Sequence, residues 1–321
     1  MQTPEDIAVV IPVYNRRTIL LETLPFVMEQ TTAPAQLVIV DDGSTDGTAE
    51  STERWLSQRQ PTFPWQVIRA DHKSASAARN TGLERVKGVP WITFLDSDDH
   101  WPRDFLQRAT SVLRTQPDTV AAVADRRFLS ADGQCLHVDD CRDLIKSPVP
   151  WFFQHGAGIA SCSVLRSEAV VAVGGWFEGC RDADDSLLFC DLARSGIWTH
   201  LPGDPVHFNI GSAQAVCEAH NLSQRRFNQH ITWARIYERI YYKILECQPD
   251  TPRRILHKAL AQRWYIAGKQ FIENGRVPQG NACFRRAIHW NPWLLRAWRR
   301  QAFSNAKPLR HDVPRQRAST G

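Results

Sequence analysis

Trp91-Ile-Thr-Phe-Leu-Asp-Ser-Asp-Asp99 decides how the rest of the chain is read. Five residues suited to a buried strand run directly into three carboxylates within four positions. The apolar run fixes where the carboxylates sit, and charges so close cannot all stay ionised without a counter-charge. Hard oxygen ligands of this kind suit Mg²⁺ or Mn²⁺, which commonly takes phosphate oxygens for its remaining ligands. The stretch points to a metal-bound nucleotide at a strand end. A solvated turn capped by Asp side chains is the competing reading.

Working outward, the same pattern recurs. Ile7–Val13 reads as a buried strand that ends at the turn Tyr14-Asn-Arg-Arg17, with a helix from Thr18 to about Gln30. Gln36–Val40 is a second strand, ending at Asp41-Asp42-Gly-Ser-Thr-Asp46-Gly47, before a helix from Thr48 to about Gln58. Trp65–Arg69 is a third strand and Ser74–Val86 a helix. Short apolar strands alternating with helices of ten or more residues predict an α/β fold with a mainly parallel sheet. Ligands bind beyond the carboxyl ends of such strands, and three of those ends here are polar. Further on, a helix is expected near Pro102–Thr115, strands at Val120–Ala124 and Ser161–Leu165, and helices at Ser167–Val173 and from about Asp184 to Ser195. The segment 126–160 is expected to hold loops and short strands, and the chain beyond Ser223 to be helical.

Length and composition fit one large α/β domain with a smaller appendage: 321 residues, 43% of them hydrophobic. No apolar run reaches the length of a membrane span. The N-terminus lacks the basic and apolar regions of a signal peptide. Eight cysteines form no CxxC pair, so reduced thiols and a cytoplasmic protein, at the inner membrane face if membrane-bound, are expected. Net charge of +5 hides an asymmetry. Residues 1–250 hold 24 Lys and Arg against 32 Asp and Glu, whereas 251–321 hold 15 against 2, giving −8 and +13. The division expected is 1–223, 224–306 and a disordered basic tail at 307–321.

Val9-Val-Ile-Pro-Val-Tyr-Asn15, Val38-Ile-Val-Asp-Asp-Gly-Ser-Thr-Asp-Gly-Thr48, Ala77-Ala-Arg-Asn-Thr-Gly82 and Phe94-Leu-Asp-Ser-Asp-Asp99 resemble, in order and spacing, the family-2 glycosyltransferases. The match covers roughly residues 7–223. Members are GT-A-fold enzymes that use nucleotide sugars. The resemblance implies a nucleotide-sugar donor, Mg²⁺ or Mn²⁺, a glycan or lipid-linked acceptor, and inversion by single displacement. It places Asp42 on the base, with Pro12, Tyr14 and Asn15 around it, and Arg79 on the diphosphate or the acidic loops. Asp96 then faces ribose or a metal-bound water, and Asp98 is the favoured metal ligand. Asp99 is an additional candidate, and His220 would complete the metal sphere or contact the diphosphate. Asp185 matches the base that takes the acceptor's proton, and Asp184 orients the acceptor or the base. Two departures stand out: Asp184 replaces Glu, and Asp191 sits where Arg is frequent.

Bland roles compete at several positions. Asp46 reads as a helix cap, Asn80 as a holder of loop backbone, and His207 as structural. Trp151, Trp176 and Phe177 suit either a sugar-stacking wall or a core. Residues 261–292 carry Ala261, Trp264, Gly268, Phe271, Ala282, Phe284, Ala287 and Pro292, spaced as in one tetratricopeptide-type hairpin. Arg285–Arg300 interleaves basic residues with Trp and Leu, which suits contact with anionic membrane through 251–321. Packing on the catalytic body is the alternative; no nucleic-acid module is recognisable. A nucleotidyltransferase would need a Gly-rich loop after the first strand, which Tyr14–Arg17 does not supply. A non-catalytic GT-A-like binding or scaffold protein is the other alternative.

Overall fold

The computed structural model describes residues 6–71, 73–86, 88–116, 118–179, 184–210, 229–247 and 252–306; at 184, 247 and 303–306 only the backbone is described. In the N-terminal half, strands β1 (Ile7–Val13), β2 (Gln36–Asp41), β3 (Trp65–Arg69) and β4 (Trp91–Phe94) alternate with helices α1 (Arg17–Met28), α2 (Thr48–Arg59) and α3 (Ala75–Arg85). Helix α4 (Phe105–Thr115) leads into β5 (Thr119–Leu129) and β6 (Cys135–Asp139). Then come α5 (Arg142–Lys146), α6 (Pro148–His155), β7 (Ser163–Arg166), α7 (Ser167–Ala172), α8 (Asp184–Ser195) and β8 (Ile197–Asn209). The chain ends in α9 (Gln229–Cys247), α10 (Arg253–Glu273), α11 (Val277–Trp290) and α12 (Leu295–Ala306).

One sheet runs β3-β2-β1-β4-β7-β5-β6, with β8 also paired to β5. The β1–β2, β2–β3, β1–β4 and β5–β8 pairs are parallel; β4–β7, β5–β7 and β5–β6 are antiparallel. Strand β1 is buried along its whole length, as a parallel strand covered on both faces must be. Helix α3 lies close on it because residue 82 is Gly: a Cβ there would stand 2.3 Å from Val10 Cγ1.

The segment 126–160 holds the short strand expected in it, β6, and departs from the expectation in its helices. It holds the last four residues of an 11-residue strand, the short strand β6 and two helices. Strand β6 is exposed at four of its five positions, so no apolar alternation marks it.

Residues 1–226 with 236–252 form one compact unit, and 227–235 with 253–321 another. In the second, α10 and α11 approach at glycine: a Cβ on Gly268 would meet Phe284 Cε1 at 2.6 Å, and one on Gly280 would meet Ile272 Cδ1 at 2.7 Å. Ala261, Trp264, Phe271, Phe284 and Ala287 are buried there, whereas Ala282 and Pro292 are exposed. No described helix is long and apolar enough to cross a membrane. The tail 307–321 lies outside the described residues.

Candidate functional site

The parallel register brings the carboxyl ends of β1, β2 and β4 to one edge: Val13 pairs with Asp41 and Val10 with Phe94. There the chain must turn sharply. Asn15 takes a left-handed φ of 49°, which Asn tolerates better than most residues. Its N–H donates to Ser44 Oγ and its Oδ1 accepts from Thr45 N–H, both at 2.8 Å, so the turns after β1 and β2 are tied together. Asp46 accepts from Arg17 N–H at 3.1 Å and from Thr48 N–H at 3.0 Å, and so joins the first residues of α1 and α2, although the N-cap of α2 is Gly47. Asp41 accepts from Ser44 N–H at 2.7 Å and so serves its own turn. Asp42 is buried and accepts from Lys73 N–H at 3.0 Å. Pro12 is buried within β1 opposite Val40, while Tyr14 is exposed beyond it. Asn15, Arg17, Thr45 and Asp46 line an open cleft of about 320 Å³.

After β4 the side chains alternate. Asp96 and Asp98 are partly exposed; Ser97 and Asp99 are buried. Asp96 pairs with Arg79 Nη2 at 2.6 Å, and that guanidinium also lies over the Trp176 ring, 4.3 Å from its centroid. Asp98 pairs with Arg16 Nη1 at 2.8 Å. Burial raises the Asp98 pKa, with Arg16 opposing and Asp96 adding to the rise. Asp99 accepts from Ser161 Oγ at 2.6 Å, and the same oxygen accepts from Asp96 N–H at 3.0 Å. Burial holds the Asp99 carboxyl well above its ordinary range, and the charges of Asp98 and Asp96 push the same way. Asn209 Nδ2 donates to the Asp98 carbonyl at 2.6 Å, and His100 and His207 exchange backbone hydrogen bonds at 2.9 Å. Burial, with His207 beside it, lowers the His100 pKa to about 4, so this ring is neutral at physiological pH as it stacks on Phe26. Arg16, Ser161 and Asn209 were not singled out from sequence. In the sequence Arg16 is only part of a turn lacking glycine, and Ser161 only the start of a strand.

Asn80 holds loop backbone as expected, donating to Trp176 O and accepting from Trp176 N–H, both at 2.8 Å. Of the two roles open to them, Trp151 and Trp176 take the core, while Phe177 is exposed. Asp185 lies in the first turn of α8, where its Oδ1 accepts from Ser186 N–H at 2.6 Å. Ser186 Oγ lies 3.0 Å from the Tyr237 hydroxyl, which donates to Phe152 O at 3.1 Å. Gly158 borders the same place: a Cβ there would be 3.9 Å from Asp185 Oδ2 and from Arg126 Nη1. The Asp184 side chain and His220 fall outside the described residues.

Among the described residues, Asp125, Asp140 and His200 bring potential ligand atoms within 4.8 Å of one another. These charges are already answered within the chain. Asp125 Oδ1 meets His200 Nε2 and Cys141 N–H, both at 2.8 Å, and Arg142 Nε reaches both oxygens of Asp140 at 2.9 Å. Hydrogen bonds from the Arg142 side chain and backbone hold the Asp140 carboxyl far below its usual range.

Residues 8–165 match the model of glycosyl transferase family 2. The amylovoran biosynthesis glycosyltransferase AmsB of Erwinia amylovora is 32% identical over 123 residues, 38% of this chain and 39% of that protein. The chain spans between 15% and 39% of the length of the first curated relatives it matches. Among solved structures, S. aureus TarS 1-349 in complex with UDP-GlcNAc superposes with a TM-score of 0.68 at 16% identity, over 93% of this chain and 89% of that one. The mannosyltransferase PcManGT from Pyrobaculum calidifontis, in complex with GDP-Man and Mn²⁺, gives 0.59 at 20% identity, over 95% and 81%. These likenesses show the fold, a mainly parallel GT-A-like sheet flanked by helices. Residues 8–165 of this chain are therefore a glycosyl transferase family 2 domain.

Proposed function

We propose that the chain moves a sugar from a nucleoside-diphosphate sugar to a hydroxyl of a glycan or lipid-linked glycan, in the synthesis of a cell-surface polysaccharide or glycoconjugate. The observation that carries the reading is the gathering of Asn15, Asp42, Arg79, Asp96 and Asp98 at one edge of the parallel strands. The bound UDP-GlcNAc of TarS and GDP-Man of PcManGT support a donor of this class. The name of AmsB supports the polysaccharide context.

The donor set fits a hard divalent cation. Asp96 and Asp98 offer partly exposed carboxylates from alternate positions of one loop, whereas Asp99 is turned inward and held by Ser161. Asp98, with Asp96 beside it, would hold Mg²⁺ or Mn²⁺. Such an ion supplies Lewis-acid neutralisation of charge on a departing diphosphate. Asp42 presents a buried acceptor for a nucleobase N–H or ribose hydroxyl. Arg79 and Arg16 pair with Asp96 and Asp98 and would also meet a diphosphate held beside those carboxylates. Asp185 takes the acceptor's hydroxyl proton as that oxygen bonds to the anomeric carbon. The bond from the anomeric carbon to the diphosphate oxygen breaks, the nucleoside diphosphate leaves, and the configuration inverts. Asp184 orients the acceptor or the base, and His220 is a further contact to the metal or diphosphate.

A thermal-shift panel of nucleoside diphosphates and nucleotide sugars, with and without Mn²⁺, tests the donor class. Asp98→Ala and Asp185→Asn are each expected to abolish transfer, while only the first weakens metal-dependent donor binding. Wild-type turnover by either variant would sink the assignment. If no nucleotide binds with Mn²⁺, a scaffold role replaces it.

A further inference from the structure

The second compact unit buries one set of its aromatic residues and presents another. Trp264, Phe284 and Trp290 are inside it, and Ala297 marks the inward face of α12. The turn from α11 to α12 faces the other way. Trp293 is 87% exposed, Leu295 64% and Trp298 51%. On α12, positions 295, 298, 299 and 302 share one face, and all four are exposed. The Trp298 indole N–H donates to Pro292 O at 3.0 Å, so its polar atom is satisfied while its ring remains outside. Arg285, Arg299 and Arg300 are exposed around this ridge, and no acidic residue occurs between Glu273 and Asp312.

We propose that the Trp293–Leu295–Trp298 ridge, with Arg299 and Arg300, is an insertion point for an anionic lipid surface. Two chemical features select this occupant. Indole rings bridge the apolar and polar layers of a bilayer interface, and a projecting ridge can enter that layer where a flat face cannot. Exposed arginines in a stretch of sequence without acidic residues are attracted to anionic headgroups and repel a second copy of themselves. A protein partner docked on the helical hairpin would use the face that Trp264, Phe284 and Trp290 already fill. The contact is therefore a local one, confined to the corner at 293–300. It is independent of the transfer reaction.

The test is sedimentation of the full chain with vesicles of phosphatidylcholine alone, or of phosphatidylcholine and phosphatidylglycerol in equal amounts. The wild type is expected to sediment with the anionic vesicles and to be released by salt. The double substitution Trp293→Ser with Trp298→Ser is expected to lower the partition coefficient by about tenfold, and Arg299→Glu with Arg300→Glu by at least roughly tenfold. Both variants should keep wild-type nucleotide binding with Mn²⁺, which separates a failed membrane contact from a failed donor site. The proposal is overturned if the wild type ignores anionic vesicles, binds neutral ones equally, or binds undiminished after the tryptophan substitutions. A lipid-free dimer abolished by those substitutions would overturn it in favour of a second copy.

Discussion

Alternation along residues 96–99 sends Asp96 and Asp98 to the accessible side of their loop and turns Asp99 to Ser161. Neighbouring carboxylates of equal chemistry thereby acquire different work. Asp99 is already hydrogen-bonded indoors, where its protonated form is favoured; Asp98 is 17% exposed and faces a cation, Arg16. Asn at 99 can still accept from Ser161, so Asp99→Asn should stay within about 1 kcal/mol of wild type at neutral pH and keep Mn²⁺-dependent nucleotide binding. Its pH dependence should differ. A carboxyl whose folded pKa is raised stabilises the fold fully below its ordinary value of 3.8 and loses that contribution as pH rises through the folded pKa. Removing it should therefore flatten the fall in stability from acid toward neutral pH, read by urea unfolding across that range. An unchanged slope would show that Asp99 is not the group responsible. Which acid faces outward was not legible in Phe94-Leu-Asp-Ser-Asp-Asp99, because both positions carry the same side chain and only the path of the loop separates them. Arg16 was hidden for a related reason: its partner is 82 positions away in the chain.

Strands β1, β2 and β4 were readable because each is a run of apolar residues that stops at a polar turn. A central parallel strand has no water-facing side to break that run. Strand β6 gave no such signal, since it lies with most of its side chains in solvent. Helices α5 and α6 are too short for a helical period to stand out. Gly82 shows what a strong element-level constraint looks like. Ala is normally better than Gly inside a helix by about 1 kcal/mol. Here, though, its Cβ would sit 2.3 Å from Val10 Cγ1, on a strand with nowhere to go. Gly82→Ala should thus destabilise the protein by roughly 1–3 kcal/mol as an overpacked contact. In a Val10→Ala background the same change should cost less than half as much, because the clashing methyl is gone. Equal costs in the two backgrounds, measured by urea unfolding, would mean that the helix shifts instead of clashing.

Across the whole molecule, the part that matches the family ends at residue 165, yet α8 with Asp185 and the helix that braces it lie beyond that point. Lys243 on α9 pairs with Asp191 of α8 at 2.7 Å, at the position where the family resemblance led one to look for Arg. Tyr237, on the same helix, links Ser186 to the Phe152 carbonyl of α6. A side-chain hydroxyl 51 positions away and a backbone carbonyl 85 positions away thus meet on the Tyr237 hydroxyl, a convergence that no local pattern reveals. The link bears on the proposed base. The one proton of the Ser186 hydroxyl is divided between the Tyr237 oxygen at 3.0 Å and Asp185 Oδ1 at 3.3 Å, beside the Ser186 N–H that Asp185 already accepts at 2.6 Å. With Phe at 237 the Ser186 hydroxyl loses its tyrosine partner and turns to Asp185. An added donor favours the ionised carboxylate and lowers its pKa. Tyr237→Phe should therefore shift the acid limb of the pH–rate profile downward and cut turnover by about tenfold, a fraction of what a positioned base contributes. The KM for the donor and nucleotide binding should not move. A loss of stability with an unshifted acid limb would reduce Tyr237 to a packing role.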